Sequence, residues 1–165
     1  MKLQDQVCTL EQAKKLKELG VIQKSIFCLI GGDNPDLQNF TPYYIRLTED
    51  ARTSVGSSWY KHRISAFTVA ELGVMLPEYY PSWRFKFKDQ YKWIATVICS
   101  PKPNGIDDIH TSYEFDRIAD TQAEALATLL IALLEENIIT AEEVNQRLAA
   151  EFIGMYAGIN GAKKR

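Results

Sequence analysis

The chain predicts a single α+β domain: an antiparallel sheet of about three to five strands packed by two to four capped helices, an α-β layer sandwich. Three observations carry that expectation. A threonine followed three residues later by Glu or Gln occurs at Thr9–Gln12, Thr68–Glu71, Thr121–Glu124 and Thr140–Glu143, each ahead of apolar residues at helical spacing. In such a capping box the hydroxyl accepts a first-turn amide and the acid or amide side chain accepts the threonine's own amide. Second, Trp83, Phe85 and Phe87 alternate with Arg84, Lys86 and Lys88, the period of two that a strand imposes. Third, Ala123, Leu126, Ala127, Leu130, Leu133 and Leu134 share one helical face, widened by Ala125, Leu129 and Ala132. So broad a stripe needs cover on two sides, a sheet below and a helix or subunit beside it.

In chain order, Thr9 starts a helix whose Leu10, Ala13, Leu16 and Leu19 are interleaved with Lys14, Lys15 and Lys17, and Gly20 is its left-handed stop. Ser25–Ile30 reads as a strand ended by Gly31-Gly32, and 33–42 as a loop rich in Pro, Asn and Asp. Tyr43–Thr48 alternates like a strand, and residues 49–58 form the expected flexible loop. A strand over Trp59–Phe67 delivers the chain to Thr68 and a short helix, Val69–Leu76, stopped by Pro77. The alternating strand from Trp83 turns at Asp89-Gln90 into Tyr91–Cys99. That strand is apolar or neutral on both faces and is expected to be central and covered on both sides. Pro101–Gly105 breaks it, and His110–Ile118 returns as a third strand. The fourth helix, Ala141–Met155, offers Val144, Leu148, Phe152 and Met155 as cover, and residues 157–165 are expected to fray as a basic tail.

Composition excludes several classes. With 46% hydrophobic and 24% charged residues, this is an ordinary globular chain rather than a disordered one. No apolar run approaches the roughly 18 residues of a membrane span. Met1–Gln6 lacks the apolar stretch of a secretory signal. Cys8, Cys28 and Cys99 are odd in number and form no CxxC pair, which points to reduced thiols and a cytoplasmic setting. Net charge is −2, but residues 107–151 hold eleven acids against Arg117 and Arg147, whereas 59–92 hold six Lys/Arg against three acids. The acidic half argues against wholesale coating of nucleic acid.

Candidate chemistry is sparse. Asp107, Asp108 and His110 sit together in one loop, but their spacing matches no metal motif, and Asp33-Asn34-Pro35-Asp36 lacks the further ligands of a calcium loop. No serine stands in a GxSxG elbow, and Gly31-Gly32 is not followed by the residues of a phosphate loop. No cofactor, metal or catalytic residue is therefore assigned. The remaining candidate is the basic hairpin: Arg84, Lys86 and Lys88 from one strand, with Lys92 and Arg63 able to join them as a surface for nucleic acid or a partner. Because Trp83, Phe85 and Phe87 take the opposite face, those rings read as core rather than as a stacking platform. The cations then read as protection of a sheet edge.

Three stretches carry a resemblance: Val7–Val21, Ala66–Pro77 and Ala119–Ile139, the last an Ala/Glu-rich helix after an Ala-Asp-Thr step. Together they resemble uncharacterised small proteins of phages, prophages and mobile elements of gut bacteria, and the last resembles the closing helix of small phage α–β sandwich domains. The resemblance implies a genomic setting and a fold type, covers less than half the chain, and implies no active-site residue. The reading that follows is a non-catalytic cytoplasmic accessory protein that binds a protein partner or itself. Single-stranded nucleic-acid binding through residues 83–92 and a small hydrolase-like enzyme are the alternatives.

Overall fold

A computed structural model describes residues 3–30, 41–44, 63–77, 79–87, 90–99 and 113–161 of the chain. All four threonine-led starts cap helices. α1 (Leu10–Glu18), α2 (Val69–Met75) and α3 (Gln122–Glu135) each follow a complete capping box, on Thr9/Gln12, Thr68/Glu71 and Thr121/Glu124. α4 (Ala141–Gly161) follows Thr140, whose Oγ1 accepts Glu143 N at 3.2 Å while its own N donates to Glu143 Oε2 at 2.8 Å.

The stops are equally local. Gly20 has φ +88°, and the amides of Gly20 and Val21 donate to the carbonyls of Lys17 and Leu16 at 3.1 and 3.0 Å. This double bond pattern around a left-handed residue is a Schellman motif. α3 ends the same way on Asn137 (φ 56°), with Asn137 N donating to Leu134 O and Ile138 N to Leu133 O. α4 runs on to Gly161, beyond Met155 and into part of the expected frayed tail. Its glycines weaken a helix, yet none takes the positive φ that would end it. The expected flexible loop at 49–58 lies outside the described residues.

The strands divide between two antiparallel sheets rather than forming one. β1 (Phe27–Ile30), β2 (Thr41–Tyr44) and β3 (Arg63–Ser65) give the order β2-β1-β3. β4 (Tyr79–Phe87), β5 (Gln90–Cys99) and β6 (Tyr113–Ala119) give β4-β5-β6. The α+β layered class therefore stands, with its strands split.

α3 lies at the centre of the molecule. Leu126, Leu129, Leu130 and Leu133 are fully buried, and the helix packs on β5 and β6 while also touching α1 and α2. The surplus apolar surface read from the sequence is thus covered within the chain. Polar contacts fix the neighbours: Gln12 Nε2 donates to Glu124 O and Thr128 Oγ1 at 3.0 and 2.8 Å, and Lys15 pairs with Glu135 at 2.8 Å. That carboxylate raises the pKa of Lys15. Asn145 of α4 clamps the α1 exit, donating to Gly20 O and accepting from Ile22 N, while Arg147 donates to Met75 O at the end of α2. Among the described residues no helix is long and apolar enough to cross a membrane.

Candidate functional site

The β4-β5-β6 sheet is apolar on both faces of its central strand, and among the described residues α3 packs on one of them. Residues directly opposite in an antiparallel ladder share a face. Trp93, Ala95 and Val97 of β5 stand opposite Ala119, Arg117 and Phe115 of β6, and Ala95 and Val97 are fully buried in the core that includes α3. The other face carries Ile94, Thr96 and Ile98, opposite Ile118, Asp116 and Glu114. There Ile118 is 54% exposed and Ile98 40% exposed, while Ile94 is half-buried and Thr96 is closed off at 2%. The expectation that β5 is covered on both sides is corrected: the β6 side of this outer face is open to water. β4 extends the same face, since the register sets Trp83 opposite Ile94 and Phe85 opposite Lys92, and Phe85 is half-buried. The ladder register along 83–87 thus divides two faces as expected, but Phe85 lies on the face away from α3.

The predicted cations do not gather in one place. β4 is an edge strand, as edge protection requires. Arg84 and Lys86 are exposed and share the α3-side face with Trp93 and Tyr91, and Arg84 Cζ lies 4.3 Å from the centroid of the Tyr91 ring. Lys86 sits where the β4-β5 hairpin overhangs β6 by residues 90–92, about 10 Å of ribbon at strand rise, and Arg84 stands at the last rung before it. Lys92 stands on the outer face instead, ion-paired with Asp120. Arg63 belongs to β3, in the other sheet. Lys88 lies outside the described residues, as do Asp107, Asp108, both histidines and the Gly31–Asp36 segment.

No protein family, curated protein or solved structure matches the chain. Whatever the protein does must therefore be argued from its own surfaces.

The buried polar chemistry is structural. Glu71 Oε2 lies 2.8 Å from Thr68 N, 3.0 Å from Thr68 Oγ1 and 2.9 Å from Ser25 Oγ, and its Oε1 accepts Ile26 N at 3.0 Å. The carboxylate ties the start of α2 to the approach of β1. Cys8 is buried close by, and desolvation, reinforced by the Glu71 charge, pushes its thiol up to about 12. A thiol held protonated is a poor nucleophile. Cys28 is also buried, and neither thiol is in a disulfide. Among the described residues, no three His, Cys, Asp or Glu side chains are grouped to hold a metal ion.

The outer isoleucines were missed in the sequence because β5 looks equally apolar on both faces. The one available signal is in β6, where Glu114 and Asp116 share a row with Ile118: two carboxylates require water, and Ile118 must then share their exposure.

Proposed function

We propose that this chain is a non-catalytic accessory protein, cytoplasmic and of the phage or mobile-element type that its capped stretches resemble, and that it acts by binding a protein through the outer face of the β4-β5-β6 sheet. The observation that carries this reading is the exposure of Ile118 and Ile98 on one sheet face, whose reverse buries Ala95 and Val97 in the core with α3. The two stand on one face with the Thr96–Asp116 rung between them, so each offers an apolar contact to a partner laid along the strands. Buried thiols at Cys8 and Cys28, neither in a disulfide, suit a reducing compartment.

Site-specific photo-crosslinking tests it. A photoreactive residue at Ile118 or Ile98 is expected to trap a discrete partner that the same residue at exposed Glu151 or Gln146 does not trap. Ile98→Asp should abolish the product from position 118. Equal labelling from all four positions would refute the reading.

A second reading has one specific support. The end of the β4-β5 hairpin presents Arg84, Lys86 and the 56%-exposed Tyr91 together, a cation pair beside a ring on which a base can stack. It predicts salt-dependent binding of single-stranded oligonucleotides that Arg84→Glu/Lys86→Glu abolishes. Lys92, already paired with Asp120, contributes no spare charge to such a surface.

A further inference from the structure

Charge on the outer face says what kind of protein it takes. We propose that the occupant is a segment of another protein that presents apolar and Lys or Arg side chains on the same side, rather than a second copy of this chain; this rests on the reading of that face as a docking surface. Along β6, Glu114 and Asp116 are exposed in the same row as Ile118, and Asp120 follows just beyond the strand. On β5, Lys92 is the cation that the register sets on this face, and Asp120 already neutralises it. The face therefore presents isoleucines beside two carboxylates that have no ion-pair partner among the described residues.

Face-to-face pairing of two copies would bring two such acidic rows into one desolvated interface. Like charges there repel, and each carboxylate losing water without a cation is penalised. A cationic, apolar segment removes both difficulties. Its apolar side chains cover Ile118 and Ile98, while its Lys or Arg groups meet Glu114 and Asp116 at the polar rim. Rim pairs of this kind chiefly select the partner and speed its approach, whereas the isoleucines hold it. The opposite face of the same sheet offers no rival acidic surface: its exposed end carries Arg84 and Lys86.

Labelled peptides test the inference by fluorescence anisotropy against the full chain at low and high salt, alongside sedimentation equilibrium of the protein alone. The probes are a Lys-Ile heptapeptide, Lys-Ser-Ile-Ser-Lys-Ser-Ile, which carries both residue types on one side when extended, its Glu-Ile counterpart with Glu for Lys, and a Lys-Ser counterpart with Ser for Ile. Binding is expected for Lys-Ile only. It should weaken with salt, and fall about tenfold or more both in Ile118→Asp and in Glu114→Lys/Asp116→Lys. Both variants change exposed side chains, and Ile118→Ser serves if the aspartate disturbs folding.

Binding that Ile118→Asp removes but charge reversal leaves intact would overturn the charge inference and keep the docking face. So would equal binding of the Glu-Ile peptide, or a dimer that Ile118→Asp dissociates. If no peptide binds, the protein is monomeric and positions 118 and 98 crosslink to nothing, the docking face itself falls.

Discussion

Four capping boxes look alike in sequence, yet the structure makes one of them far more costly to break. Glu71 is 7% exposed, and its carboxylate accepts from Thr68 N, Thr68 Oγ1, Ser25 Oγ and Ile26 N. Glu71→Gln preserves shape but replaces one acceptor oxygen with an NH2 group. With the amide oxygen kept toward Thr68 and Ser25, the NH2 faces the Ile26 N–H, donor against donor. One buried backbone donor then goes unmade, at about 1–3 kcal/mol, and the bonds that remain lose their charge assistance, each dropping by about 1 kcal/mol. The expected total is about 4–6 kcal/mol. At Thr140–Glu143 the same box faces water, so Glu143→Gln should cost about 1 kcal/mol or less. Urea unfolding followed by circular dichroism and tryptophan fluorescence compares the two, with the midpoint shift read at constant m. Equal losses for Glu71→Gln and Glu143→Gln would refute the argument that burial, rather than the motif, sets the energy.

Other outcomes follow from the same packing. Gly20→Ala must hold an alanine at φ +88° with its Cβ 3.3 Å from Ala141 Cβ, and a thermal melt should show a loss of about 1–2 kcal/mol. Leu130→Ala empties a fully buried position between sheet and helices and should cost about 3–5 kcal/mol in the same urea assay. The Cys8 thiol titrates near 9.0 when unfolded but near 12 when folded, so between those values the unfolded chain binds fewer protons. Its stabilising contribution is complete below the lower value and is lost as pH rises toward the upper, at about 1.4 kcal/mol per pH unit. Cys8→Ala should flatten that alkaline decline relative to the parent. At neutral pH, Cys8 and Cys28 should resist a soluble thiol reagent until denaturant is added, as mass spectrometry of the labelled peptides would show.

The parts of the fold legible in the sequence are those made by residues three or four apart. Thr9, Thr68, Thr121 and Thr140 begin helices because cap and partner lie within one turn, and Gly20 ends α1 because its backbone alone turns left without strain. Asn137 does the same for α3 but went unread, since asparagine takes that conformation less often than glycine. The extent of α4 was underestimated because glycines at 154, 158 and 161 look like a stop, whereas the helix absorbs them.

What lay beyond the sequence was every choice that depends on distant partners. Alternation along 83–88 and 91–99 separates two faces of a sheet, but only the pairing of Ala95 with Arg117 and Val97 with Phe115 under α3 decides which face becomes interior. Division into two sheets, the removal of Lys92 from the hairpin cations by Asp120, and the solvent left on Ile118 are likewise set by contacts across long stretches of chain. Local hydrogen-bond geometry is written in short spacings and can be read from them. Burial is a property of the assembled layers, so the sequence determined where the rods and ribbons begin, and the tertiary structure determined which of their surfaces remain to meet another molecule.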